Sequence, residues 1–119
     1  MTIQESAEMY LETILVLSNE NKNVRSIDIS RKMNFSKPSV SRAMKNLSTE
    51  NYIHIDENGY ITLLPKGMEI AKKIYEKHEM LTKYFTSIGV SAKVAEDDAC
   101  RIEHVISDET FDAIKKLIS

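Results

Sequence analysis

Near one end of the chain a thiol, a carboxylate and an imidazole stand together as Cys100, Glu103 and His104. The spacing i, i+3, i+4 predicts that one helical face presents all three. Each ligates a metal in its deprotonated or neutral form, and together they make half a coordination sphere. Other helices must supply the rest. Met9 and Glu12 share a face at i, i+3 near the other end, and His78 lies between the two groups in sequence. Each residue has an ordinary reading by itself: a lone cysteine packs as a small hydrophobe, Met9 as core, His78 as surface. Their joint presence is what a shared divalent ion accounts for. Thioether and thiolate donors favour Fe(II), with Mn(II) second, and argue against the all-oxygen sites of Mg or Ca.

A second kind of chemistry comes from charge. The net charge of −2 conceals segregation: Lys22 to Leu47 holds seven basic residues against Asp28 alone. Val94 to Asp112 holds seven acids against Arg101, and the first twenty residues carry four Glu and no Lys or Arg. A single charge run is commonly a solvated face. Two runs of opposite sign suit a polyanion at one part and cations at the other. Within the basic segment, Ser36, Lys37, Pro38, Ser39, Ser41, Arg42 and Lys45 form the first turn and outer face of a candidate helix, with Arg25 upstream. Arg42 can read a guanine edge bidentately, the serines can meet bases or phosphates, and the lysines neutralise phosphate.

The elements that must carry these groups are mostly helical. Tyr10, Leu11, Ile14, Leu15 and Leu17 recur at helical spacing within 5–19, and the polar run from Asn19 to Asn23 ends that helix. Ser26 is the expected cap of a short second helix to about Met33. Ser36 caps a third, with Pro38 in its first turn, where no intrahelical N–H bond is lost. Val40, Met44 and Leu47 make its inward stripe. That succession is the helix-turn-helix pattern. Two β-prone runs, 52–56 and 60–64, joined through Asn58 and Gly59, then predict a hairpin wing. A long helix follows from about Lys66 to Ser87 with Ile70, Ile74, Leu81 and Phe85 inward, ended by Gly89. Ser91 opens a fifth helix reaching Ile106, and Ser107 with Asp108 and Glu109 caps a sixth.

The expected fold is therefore mainly α with one small β-hairpin. Residues 1–72 are expected to form a winged helix-turn-helix, and residues 73–119 a helical metal-binding domain. A chain of 119 residues, 42% hydrophobic, is long enough for a real core. No stretch approaches the ~20 apolar residues of a membrane span, and the start lacks the pattern of a signal peptide. With Cys100 as the only cysteine, no intrachain disulfide forms, and a cytoplasmic setting without membrane partners is expected.

These residues resemble the iron-dependent repressor family, metalloregulators that include the diphtheria toxin repressor and the manganese transport regulator. The likeness spans nearly the whole chain. It rests on Glu8-Met-Tyr-Leu-Glu12, Ser36-Lys-Pro-Ser-Val-Ser-Arg42, Leu64-Pro-Lys-Gly67 and Ala99-Cys-Arg-Ile-Glu-His-Val-Ile-Ser107. It implies that Met9, Cys100, Glu103 and His104 match the DNA-activating site of the iron-responsive branch. Glu12 and His78 match ligands of the manganese-responsive branch, which has acids where this chain has Met9 and Cys100. His78 also matches an ancillary ligand of the iron branch, whose other positions hold Thr82 and Glu96 here. The third helix would be the recognition helix, and the form expected is the short one, without an added SH3-like domain.

The resemblance implies a homodimer on a double-stranded DNA operator, repressing metal-uptake genes when the metal is plentiful. The main rival is a winged-helix regulator that senses an organic ligand, or oxidation at Cys100, without metal. A hydrolytic metalloenzyme finds little support, since neither a nucleophile–base pairing nor a glycine-rich phosphate loop is present.

Overall fold

The computed structural model describes residues 3–20 and 23–118. Lys22, counted above in the basic segment, lies outside them. The chain divides into two compact units, Met1–Lys72 and Lys73–Ser119.

In the first unit α1 (Ile3–Glu20) packs on α2 (Ser26–Met33), which packs on α3 (Lys37–Thr49). Its core gathers Leu11, Ile14, Val24, Ile29, Val40, Met44, Ile53 and Ile61, all nearly inaccessible to water. Burying such side chains contributes ~1.5–3 kcal/mol each. The start of α2 differs from the sequence expectation. Ser26 is already helical, and Arg25 takes the N-cap place, its N–H donating to Asp28 Oδ2 (2.9 Å). Asn34, left-handed at φ 57°, ends α2. Ser30 Oγ donates to Phe35 O (2.6 Å), fixing the turn before α3. Ser36 caps α3 as expected: its Oγ accepts from Ser39 N–H, with Pro38 in the first turn.

The wing pairs β1 (Ile53–Ile55) with β2 (Ile61–Leu63) antiparallel, Ile53 opposite Leu63 and Ile55 opposite Ile61. Its turn is held by an aspartate rather than by the asparagine. Asp56 Oδ1 accepts from the N–H groups of Asn58 and Tyr60, Asp56 O accepts from Gly59 N–H, and Gly59 alone takes positive φ, at 82°.

Helix α4 (Pro65–Ser87) begins in this unit, where Gly67 approaches the strand that leads out of α3. A Cβ at Gly67 would overlap Tyr52 O, the carbonyl that accepts the Leu64 N–H. Gly67→Ala should therefore lower unfolding stability by about 1–3 kcal/mol, the range for overpacking a tight core. A denaturation midpoint equal to that of wild type would show that the helix shifts freely.

The second unit holds the rest of α4, α5 (Ala92–Ile102) and α6 (Asp108–Ile118). Leu81, Ala99 and Phe111 form its buried centre, with Met80, Phe85, Ile102, Ile106 and Ile114 packed around them. Gly89, at φ 103°, follows the end of α4. Helix α5 is shorter than expected: it stops at Ile102, and Glu103 to Val105 form a turn. Ser107 Oγ accepts from Thr110 N–H (3.1 Å) and starts α6. Lys77, buried on α4, pairs with Asp108 Oδ1 (3.3 Å), and that lysine and Lys73 together hold the Asp108 carboxyl below the usual carboxylate range. Among the described residues no helix is long and apolar enough to cross a membrane.

Candidate metal centre and nucleic-acid interface

The end of α5 brings a carboxylate inward. The helix ends at Ile102, yet Glu103 keeps helical backbone angles at the C-cap and its N–H still donates to Ala99 O, so donor atoms of Cys100 and Glu103 remain together on one side. Cys100 stays on the exposed side of the last turn, Glu103 sits at the C-cap with its side chain 1% accessible, and His104 lies in the turn that follows. An ionised carboxylate so deeply buried costs several kcal/mol unless partners compensate it.

Two imidazoles meet it. His78 Nδ1–H donates to Glu103 Oε2 at 2.9 Å, and His104 Nε2 lies 3.3 Å from Glu103 Oε1. The side chain of His104 is 6% accessible and that of His78 17%. Cys100 Sγ stands 3.7 Å from the same His78 nitrogen, so donor atoms of His78, Cys100 and Glu103 all lie within 4.8 Å of one another. Hydrogen bonds to Cys100 and Glu103 push the His78 pKa up to about 10, although burial opposes the charge. A charged His78 imidazole thus balances the buried Glu103 carboxylate. One sulfur, one nitrogen and one carboxylate oxygen, converging between exposed Cys100 and buried Glu103, suit a transition metal better than a hard cation.

His78, read by itself as a surface residue, is thus half-buried and part of the cluster. Met9 and Glu12, the other expected ligands, lie on α1 of the first unit, both partly buried. A groove of about 380 Å³ is lined by Tyr75, His78, Glu79, Thr82, Lys83 and Glu96. Of the ancillary positions, Thr82 Oγ1 is engaged with His78 O (2.8 Å), and Glu96 is exposed.

The second surface belongs to the first unit. Ser36, Lys37, Pro38, Ser41, Arg42 and Lys45 are exposed and Ser39 is partly buried. Ser36 Oγ donates to Ser39 Oγ (2.8 Å), and Arg42 Nη2 donates to the same oxygen (3.5 Å), which aims the guanidinium along the start of α3. Arg25 is exposed as well, with its guanidinium carbon 4.6 Å from the centre of the Tyr60 ring. No sequence spacing links those two residues. Only the fold of the wing beside α2 brings them together.

A winged helix-turn-helix with a basic third helix, joined to a helical unit with a sulfur, nitrogen and carboxylate cluster, defines the class of metal-responsive DNA-binding regulators rather than enzymes. Residues 2–62 match the family model "Iron dependent repressor, N-terminal DNA binding domain", and residues 64–119 match "Iron dependent repressor, metal binding and dimerisation domain". The chain belongs to the iron-dependent repressor family. It is 31% identical over 115 residues to an uncharacterized HTH-type transcriptional regulator of Methanocaldococcus jannaschii, covering 95% of this chain and 92% of that one. It is 30% identical over 112 residues to the transcriptional regulator MntR of Escherichia coli, covering 94% of this chain and 72% of the relative. The solved manganese regulator SloR superposes with a TM-score of 0.82 at 28% identity, over 99% of this chain and 54% of that structure. The chain thus spans about half the length of that solved relative.

Proposed function

We propose that this protein is a cytoplasmic, homodimeric repressor of metal-uptake genes whose operator binding depends on a divalent metal, Fe(II) ahead of Mn(II). The observation that carries the reading is the Glu103 carboxylate, 1% accessible and shared between His78 and His104 with Cys100 alongside. A structural role alone would favour an apolar residue at so dry a position. The relatives support both metals as candidates: one solved homologue is a manganese regulator, and the family models that match are those of iron dependent repressors.

Cys100, Glu103 and His78 would hold the ion, with His104 on the second carboxylate oxygen and with Met9 and Glu12 as the ligands contributed by α1. A bound divalent ion supplies the positive charge that the buried carboxylate requires. On binding an ion, His78 would have to release the proton it shares with Glu103. Because α1 belongs to the unit that carries α3, drawing Met9 and Glu12 into the ligand set favours one state of that unit. DNA affinity changes only as far as this state is also the one that fits the operator.

On the operator, Arg42 and Ser39 read base edges while Arg25, Lys37 and Lys45 meet phosphates, and Ser36, Pro38 and Ser41 line the approach. A dimer sets two recognition helices at the spacing of successive major grooves, about 34–36 Å. Exposed Ile88, Val94, Val105 and Leu117 of the second unit are the apolar surface available for that contact.

The test is binding to the duplex upstream of the protein's own gene, under chelator and then under anaerobic Fe(II) or Mn(II). Metal should tighten binding by about 5–150-fold, the usual range of allosteric coupling, and His104→Ala should erase the difference. Equal affinity in every condition removes metal dependence and leaves the winged-helix regulator that senses an organic ligand or oxidation at Cys100.

A further inference from the structure

The Arg25–Tyr60 pair lies outside the recognition helix, and both its members are held from behind. Ile61 N–H donates to Val24 O (2.7 Å), which stitches the residue before Arg25 to the second wing strand. The backbone of Arg25 is extended (φ −123°, ψ 164°) and its N–H is tied to Asp28 Oδ2. Tyr60 is fixed through its N–H to Asp56 Oδ1 (2.9 Å) and its carbonyl to Asp56 N–H (3.0 Å). Among the described residues no carboxylate side chain pairs with the Arg25 guanidinium, which lies over the ring at 4.6 Å.

A free arginine side chain samples many rotamers, and a phosphate contact must freeze them. Stacking on an aromatic face restricts the guanidinium beforehand while leaving its in-plane N–H donors open to a phosphate. We propose that Tyr60 is a positioning residue that holds the Arg25 guanidinium, between the wing and the start of α2, for a backbone phosphate of duplex DNA. The proposal rests on the DNA-binding reading above and deepens it: the wing serves by aiming a residue that the chain supplies 35 positions earlier.

The probe is a random-sequence DNA duplex at low salt, since phosphate contacts are independent of sequence. Arg25→Ala should lower the slope of log affinity against log salt by about one. Tyr60→Leu should weaken binding about 2–5-fold when Arg25 is present and not at all in the Arg25→Ala background. Tyr60→Phe, which keeps the ring, should bind as wild type does. A purely structural tyrosine would instead weaken binding by the same factor in both backgrounds, and that result, or no weakening at all, overturns the proposal. A second readout does not depend on the leucine variant folding: the Arg25 Hε NMR signal should be ring-current shifted in wild type and in Tyr60→Phe. An unshifted signal in wild type also overturns it. Failure of the wild-type protein to bind any duplex would instead remove the parent reading.

Discussion

Glu103→Gln should abolish metal-dependent DNA binding while leaving the fold in place. The carboxylate is the point on which His78, His104 and Cys100 converge. An amide of the same shape keeps the packing and one acceptor oxygen, yet it removes the charge that a divalent ion needs at a nearly dry position. Losing an outer-shell partner of a metal site already costs about 10–100-fold in affinity, and a direct ligand should cost at least that. Helical content and unfolding midpoint serve as the control for folding. Wild-type metal affinity in Glu103→Gln would show that the ion, if any, sits elsewhere. The proton on His78 adds a pH signature. Its pKa of about 10 in the metal-free protein means that loading at neutral pH must release that proton. Affinity should therefore rise by at least about tenfold per pH unit from below neutrality upward, since the Cys100 thiol must also bind as thiolate. The sign follows from competition: a raised pKa on a ligand penalises binding at low pH, and the penalty fades as the pH approaches that value.

Arg42→Ala should weaken binding to the upstream duplex by about 1–3 kcal/mol, roughly 5–150-fold, with metal affinity unchanged. Arg42 is exposed on α3, and its guanidinium is oriented by Ser39 Oγ, itself bonded to the Ser36 hydroxyl. The hydroxyl that caps α3 is thus linked through Ser39 to the arginine proposed to read the operator. A base contact differs from a phosphate contact in what its loss does. Removing Arg42 should relax preference at one position of the site. Removing Lys37 or Lys45 should weaken all sequences alike and reduce the salt dependence. A competition assay against point-substituted duplexes separates the two, and uniform weakening by Arg42→Ala would reassign that residue to the phosphate backbone.

The helix-turn-helix was legible because periodicity and capping agree there. Val40, Met44 and Leu47 recur at helical spacing, Ser36 and Pro38 mark the start, and all three apolar residues are buried. The wing was legible from its two β-prone runs, although the chemistry of its turn was not. Asn58-Gly59 drew attention, whereas Asp56 holds the loop, because a side-chain acceptor two residues upstream leaves no periodic trace. The C-terminal end of α5 is legible in its spacing but not in its length. Cys100, Glu103 and His104 keep helical spacing, and Glu103 N–H still donates to Ala99 O. The helix stops at Ile102, short of the expected Ile106, and Glu103, still in helical conformation at the C-cap, is buried. Spacing alone does not report that burial. His78 illustrates the converse: its place beside Glu103 depends on packing between α4 and α5, which no local pattern encodes. Arg25 and Tyr60 are hidden in the same way.

Cobalt(II) provides the most direct measurement of the central claim, that an ion is held where Cys100, Glu103 and His78 converge. Added to the metal-free protein, Co(II) should give a near-ultraviolet thiolate-to-metal charge-transfer band, which Cys100→Ser should remove and His78→Ala should weaken or shift. Stoichiometric Co(II) binding without that band, unaltered by either substitution, would contradict the account.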